Sequence, residues 1–505
     1  MPYSPITSLN ALLNKAAMSL NTNHSNTNNL NVGSPTTENL STESPNREGL
    51  NERSTLASLE SIENYQERED QALLAGSQVN GSFNNKYRFV GEKLAGFMPA
   101  TDYQRHALHY VLKGLGYLPD PMLEGLVSCL KGPTSKQYLN ANAHLRFIIA
   151  VNGRLKTPLQ LDKMPELRQR FAADTVAMQD PKVWQQASSN KLTTLKIINK
   201  SNDAPVNWQD KIIDNADGGD MTIRCYQAGL HSKKNSNPDE TVMLFFHGGG
   251  FCIGDVDTHH EFCHSVCAQT GWAVVSVDYR LAPEHAAPTA LQDAIAAYAW
   301  LANNSHTLSA SASRIVLAGD SAGGGLSTLV AQQVTNPDEQ AWSDLGLTGQ
   351  KLYKQLKTLP KPLAQMPLYP VTDIETDYPS WELYGEGLLL DHADVAVFDA
   401  AFMQNSSLAR EHVLISPMIG DNSKVCPTYI VASELDVLRD EAFAYANQLK
   451  AADIPVETHT VLGAPHGFMH LMSVHRGLEQ ETRYIINDFA RFVSEISTTE
   501  SLLVA

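Results

Sequence analysis

Two glycine-bounded segments constrain this chain of 505 residues more than anything else in it. His247-Gly248-Gly249-Gly250 closes the apolar run Val242 to Phe246, and Gly319-Asp320-Ser321-Ala322-Gly323-Gly324 closes the run Arg314 to Ala318. A serine flanked by glycine two residues away on each side fits a sharp strand-to-helix turn, where bulkier neighbours would collide and the hydroxyl is left exposed. The context agrees, because a strand-like run precedes Ser321 and Leu326 to Ala331 reads as a helix after it. A serine hydroxyl is a weak nucleophile at neutral pH, so it needs a base to take its proton and backbone N–H groups to hold the oxyanion that forms. Ser321 is the candidate nucleophile, and the upstream glycines are candidate oxyanion donors. An ordinary serine in a glycine-rich turn would account for one segment but not for both in this order.

On such a turn the acid and then the histidine follow the nucleophile along the chain. The apolar run Tyr429 to Ala432 leads into Ser433-Glu434-Leu435-Asp436, which puts Asp436 just past a strand end. Glu434 is the weaker alternative, and Asp440 and Glu441 read as the acidic first turn of the next helix. The next strand, Val456 to Leu462, ends in Gly463-Ala464-Pro465-His466-Gly467-Phe468, so His466 sits in a loop at the same sheet edge and is the candidate base. Seventeen histidines are present, and for most of them a surface or satisfied polar role is the simpler reading. His470 and His475 are expected on the following helix, and His459 within the strand.

The chain resembles the hormone-sensitive lipase, or family IV, esterases of the α/β-hydrolase superfamily. The resemblance rests on five blocks in order between about residues 205 and 495: His247-Gly-Gly-Gly-Phe251, Asp278-Tyr-Arg-Leu-Ala-Pro-Glu284, Gly319-Asp-Ser-Ala-Gly-Gly324, Asp436-Val-Leu-Arg-Asp-Glu441 and His466-Gly-Phe468. It implies a Ser321-His466-Asp436 triad and an oxyanion hole from the N–H groups of Gly249, Gly250 and Ala322, with Gly248 able to replace one of them. It also implies an α/β fold, a mostly parallel sheet with helices on both faces and a helical cap, that hydrolyses small-molecule acyl esters without a cofactor. Two positions depart from the family pattern, Gly325 in place of Asn and Val437 in place of Pro, and some 200 residues precede the catalytic region where the family has a shorter cap. The same constellation could cleave an amide. A receptor-like, non-catalytic relative would have lost the base, which His466 argues against.

The rest of the sequence sets bounds. With 43% hydrophobic and 18% charged residues and no uninterrupted apolar run of the length a membrane span needs, the composition suits a large globular core. A net charge of −17 argues against nucleic acid or anionic membrane as partners. The six cysteines, at 129, 225, 252, 263, 267 and 426, form no Cys-x-x-Cys pair and read as buried small hydrophobes, with Cys252 reactive only if exposed. His260, Cys263, His264 and Cys267 would share a helix face, but one helix cannot easily surround a tetrahedral ion, so no metal is expected. Residues 1–61, rich in Asn, Ser and Thr, read as a disordered tail without a secretory signal, so a cytoplasmic location is the default. Residues 62–199 read as a helical region contributing the cap, with helices such as Tyr103 to Leu115 and Ala143 to Val151. Residues 200–497 form the catalytic domain, and 498–505 a tail. Within that domain, about 374–412 is a second cap piece whose aromatics are expected in the core, and 335–362 a surface insertion. Arg280 and Glu284 are expected to fix the turn after a strand. A homodimer is possible.

Overall fold

The computed structural model describes residues 106–134, 136, 138–186, 203–229 and 240–504. The expected tail at 1–61, and the stretch from it to residue 105, lie outside the described residues. The described chain begins with four helices, α1 (Ala107–Leu115), α2 (Asp120–Cys129), α3 (Ala143–Leu155) and α4 (Met164–Met178). Asn142 caps α3 by accepting the Leu145 N–H at 2.9 Å. A small core of Leu123, Val127, Phe147 and Val151 joins α2 to α3.

An antiparallel hairpin follows, β1 (Val206–Asp214) and β2 (Asp220–Ala228), and then alternating strands and helices. These are β3 (Val242–Phe246), α5 (His260–Thr270), β4 (Ala273–Val277), α6 (Thr289–Asn304), β5 (Ile315–Asp320), α7 (Ala322–Thr335), α8 (Glu339–Ser343), α9 (Gly346–Leu356) and β6 (Ala364–Leu368). Next come α10 (Pro379–Tyr384), α11 (His392–Met403), β7 (Thr428–Leu435), α12 (Arg439–Ala451), β8 (Val456–Pro465) and α13 (Arg476–Val504). The eight described strands form one sheet in the order β1-β2-β4-β3-β5-β6-β7-β8, parallel from β4 onward.

Central strands such as Val-Met-Leu-Phe-Phe in β3 are apolar without alternation because both faces are covered. Val242, Leu244 and Phe246 pack with α6, α7, α8, α9 and α12 on one side. Met243 and Phe245 pack with α5 and α13 on the other. The stripe Ile485, Phe489 and Phe492 on α13 is buried on that second face, where the Phe489 ring meets Trp272 and Tyr429 at 5.9 and 6.0 Å.

Several expectations are corrected. The first hairpin, β1 and β2, carries no strand assignment in the sequence reading. Residues 335–362 are not a surface insertion, since α8 and α9 bury Trp342, Leu352 and Leu356 in the main core. Helix α13 continues to Val504 through the expected tail. His470 lies in a short 3-10 turn, Phe468–Leu471, and His475 just ahead of α13.

Candidate active site

Sheet topology brings three chain segments to one edge. Ser321 follows β5 directly and precedes α7, with φ 54° and ψ −122°, a left-handed φ that a side chain adopts only under constraint. The constraint is a close approach: a Cβ on Gly323 would lie 2.0 Å from the Phe246 carbonyl oxygen, and one on Gly319 would lie 2.2 Å from that of Gly323. The elbow is further held by the Ser321 N–H on Leu368 O (2.9 Å) and the Val371 N–H on Ser321 O (3.1 Å).

Asp436 follows β7 and His466 follows β8. His466 Nδ1 is 2.8 Å from Asp436 Oδ2, and His466 Nε2 is 2.9 Å from Ser321 Oγ. The carboxylate can only accept, so Nδ1–H donates to it, Nε2 is left as an acceptor, and the Ser321 hydroxyl donates to Nε2. The Asp436 side chain is fully buried, and its other oxygen accepts the Leu438 N–H at 3.0 Å. The Tyr369 ring sits edge-on to the imidazole at 4.9 Å. Glu434 is turned elsewhere: it accepts from the Asn140 amide at 2.8 and 3.0 Å and from the Gly463 N–H at 2.5 Å.

The glycine loop after β3 faces the same point. Gly249 and Gly250 have φ of 119° and 59°. A Cβ on Gly249 would meet Ile253 O at 2.3 Å, and one on Gly250 would strike the Phe398 ring. Gly249, Gly250, Ser321 and His466 all line one cavity. The N–H groups of Gly249 and Gly250 find no acceptor among the described residues, and Ala322, at the first position of α7, has a free N–H by helix geometry. Gly248 differs from the expectation, because its N–H donates to Asp320 Oδ1 at 2.7 Å and is not available to an oxyanion.

The block at 278–284 holds the chain after β4 through charged and aromatic contacts. The Tyr279 hydroxyl donates to His247 O at 2.6 Å and its ring stacks on His247 at 4.2 Å, fixing the root of the glycine loop. Arg280 pairs with Asp293 and Asp217 rather than with Glu284. Glu284 pairs with Arg168 of α4, whose guanidinium also donates to Cys252 O (2.6 Å) and Ala282 O (2.5 Å). Arg168 thus ties the N-terminal helices to the segment after the glycine loop, and sequence reasoning missed it because its partners lie 84 to 116 residues away. Burial pushes the Cys252 thiol up to about 12, so it is not a reactive cysteine.

The cavity over Ser321 has a volume of about 1180 Å³. Leu112, Ile148, Phe171 and Met178 of the N-terminal helices line it on one side, and Phe398 and Phe402 of α11 contribute from the 374–412 segment. These two phenylalanines are lining rather than pure core, although Phe402 also stacks on Phe251 at 4.0 Å.

Among the described residues, His260, Cys263, His264 and Cys267 do not come together as a ligand group; the His260 nitrogens are engaged by Tyr226 Oη (3.0 Å) and Val183 O (2.9 Å). The residues whose liganding atoms do lie within 4.8 Å of one another are His259, Asp320 and His470. There the His259 Nε2 to Asp320 Oδ1 distance, 3.0 Å, is that of a direct hydrogen bond.

Glu441 lies in the first turn of α12, as expected, and has a further role. It is fully buried and accepts from the N–H groups of Thr372 and Asp373, the latter at 2.8 Å, so it anchors the chain leaving β6 rather than facing solvent at the start of α12. Burial pushes its carboxyl from the usual 4.5 up to about 8, with the two N–H groups only partly opposing. Between those two pH values the unfolded chain has lost a proton that the folded chain retains. Stability should therefore fall with rising pH through that window, by about 1.4 kcal/mol per pH unit from this group. Urea midpoints at pH 5 and pH 8 check this: Glu441→Gln should flatten the slope, and a slope unchanged by the substitution contradicts the assignment.

Comparison with known proteins agrees with this architecture. Residues 243–470 match the sequence family described as the alpha/beta hydrolase fold. The chain is 57% identical over 405 residues to lipase 2 of Moraxella sp. (strain TA144), covering 79% of this chain and 92% of the relative. It is 32% identical over 268 residues to the carboxylic ester hydrolase LipN of Mycobacterium tuberculosis, covering 53% of this chain and 67% of that protein. Its structure resembles a hyperthermophilic esterase from the archaeon Pyrobaculum calidifontis with a TM-score of 0.53 at 25% identity, over 72% of this chain and 99% of the other. The chain belongs to the hormone-sensitive-lipase-like, family IV esterases and lipases of the α/β-hydrolase superfamily. It is a carboxylic ester hydrolase. No helix among the described residues is long and apolar enough to cross a membrane.

Proposed function

We propose that Ser321, His466 and Asp436 carry out this hydrolysis through an acyl-enzyme, with Gly249, Gly250 and Ala322 supplying the oxyanion hole. The observation that carries the reading is the unbroken relay from Asp436 Oδ2 through His466 to Ser321 Oγ, at 2.8 and 2.9 Å, opening into the cavity. Ser321 Oγ attacks the ester carbonyl carbon while its proton passes to His466 Nε2. The negative charge gathered on the former carbonyl oxygen is held by the N–H groups, and the imidazolium by Asp436. The tetrahedral species collapses, the C–O bond to the alcohol breaks, and His466 returns its proton to the departing alkoxide. Water then attacks the acyl-enzyme by the same route, releasing the acid and restoring the serine.

The substrate side of the proposal rests on the cavity. Its volume lies above the ~300–1000 Å³ usual for small-ligand pockets, and Leu112, Ile148, Phe171, Met178, Phe398 and Phe402 make its walls apolar. Similarity to a protein named lipase 2 supports extending the reading to long-chain acyl esters. Initial rates on p-nitrophenyl esters from acetate to palmitate, run beside a matched amide and Ser321→Ala, test it. Rates should be sustained from butyrate to at least decanoate and exceed the amide rate. A sharp optimum at acetate would contradict the cavity argument, and a faster amide would favour an amidase. Helices 106–186 together with about 374–412 are proposed as the cap over a catalytic domain beginning near residue 200. Homodimerisation and cytoplasmic residence extend the proposal, and light scattering and cell fractionation test them.

A further inference from the structure

The glycine loop poses a problem that the triad does not solve. Three consecutive glycines have the least backbone restraint of any sequence, yet the N–H groups of Gly249 and Gly250 must be held on one point before the substrate arrives. Two tethers fix the loop from behind: the Tyr279 hydroxyl on His247 O at 2.6 Å, and Asp320 Oδ1 on the Gly248 N–H at 2.7 Å. Asp320 precedes Ser321, so a single carboxylate joins the loop to the nucleophile elbow. That carboxylate is only 2% exposed. A buried carboxylate holds its place only where other donors satisfy it.

We infer that His259 is a positioning residue for the oxyanion loop, acting through Asp320; the inference rests on the triad and oxyanion reading above. His259 is 1% exposed and its Nε2 lies 3.0 Å from Asp320 Oδ1, the same oxygen that takes the Gly248 N–H. Its other nitrogen, Nδ1, is 2.8 Å from Thr258 Oγ1. The Thr258 hydroxyl accepts the Asp255 N–H at 2.9 Å and lies 2.7 Å from Asp255 O. The Asp320 carboxylate can only accept, so the ring proton sits on Nε2, and Nδ1 of the neutral ring accepts from the Thr258 hydroxyl; the two bonds together fix the ring's rotation and aim Nε2–H at Asp320. Burial alone would push the Asp320 carboxyl up, but His259 and the Gly248 N–H outweigh it and hold it at about 2. His259 does not line the cavity; it touches His470, which does, at a ring distance of 4.7 Å. Its effect on the reaction therefore runs through the loop and not through substrate.

The test compares His259→Ala, His259→Gln and Thr258→Val with the unaltered enzyme, each rate divided by the number of sites titrated by a serine-directed fluorophosphonate. In His259→Ala, kcat per titrated site should fall about 100-fold, the scale of losing one oxyanion donor, with KM within about threefold. Inhibition by a trifluoromethyl ketone, whose hydrate-like adduct places an oxyanion in the hole, should weaken in parallel. His259→Gln, which keeps a donor for Asp320, should recover most of the loss. Thr258→Val, which keeps the ring but frees its rotation, should fall between, and it serves if His259→Ala does not fold. A kcat per site within about threefold of the unaltered enzyme in both His259→Ala and Thr258→Val, or a loss confined to KM, overturns the inference. Ser321→Ala in the same assay separates the two levels: activity there would sink the triad reading itself, whatever His259 does.

Discussion

Ser321→Ala should remove ester hydrolysis almost completely, by about six orders of magnitude in kcat if serine and histidine act as one unit as they do in other serine hydrolases. The reason is geometric. Among the described residues the hydroxyl is the group hydrogen-bonded to His466 Nε2, at 2.9 Å on the cavity side, and methyl in its place leaves the base with water alone to activate. The fold should tolerate the change, because Ser321 is held through its backbone N–H and carbonyl, which alanine keeps. The variant should give an unaltered circular dichroism spectrum and thermal midpoint together with a rate near the uncatalysed background. Substantial hydrolysis by a folded, homogeneous preparation would exclude Ser321 as the nucleophile.

Asp436→Asn should be nearly as damaging, lowering kcat by about 10⁴ while leaving KM little changed. An asparagine amide facing His466 Nδ1 donates where the carboxylate accepted, so the neutral ring turns over to the tautomer that carries its proton on Nε2. That ring cannot take the Ser321 proton. The lost charge also leaves the transient imidazolium without its partner. Among the described residues the Asp436 side chain is hydrogen-bonded by the Leu438 N–H at 3.0 Å and His466 Nδ1 at 2.8 Å, and an amide of the same shape keeps its packing. Stopped-flow and steady-state rates across pH 6 to 9 check this. A near-normal rate would return attention to Glu434, whose carboxylate is already occupied by Asn140 and Gly463.

The features that sequence reasoning reached are the ones written in consecutive residues. Gly319 to Gly324 announces the elbow because the close approach of Phe246 O requires glycine at 323, and the loop glycines announce themselves for the same steric reason. The parallel strands were legible because burial on both faces makes them continuously apolar, as in β3 and β4. What escaped depends on pairs far apart in the chain. Whether Gly248 donates to substrate or to Asp320 is settled 72 residues away, and Arg168 meets its partners only after the whole N-terminal region has packed. The β1 and β2 hairpin lacks an apolar run, since its outer strand is largely exposed on an edge; Asp217-Gly218-Gly219 at its turn was the available signal. The helices α8 and α9 hide one buried face, Trp342, Leu352 and Leu356, in an otherwise polar stretch. Glu441 was legible as part of the acidic first turn of α12, but not its hold on Thr372 and Asp373, which are remote in sequence.

The central claim, that Ser321 is the activated nucleophile of a covalent mechanism, is tested most directly by treating the folded protein with an alkyl fluorophosphonate and reading the intact and peptide masses. The account predicts one adduct per chain, located on Ser321, formed in step with loss of esterase activity and absent from Ser321→Ala. Complete inactivation with the adduct on another residue, or full activity retained by protein labelled at Ser321, would contradict it.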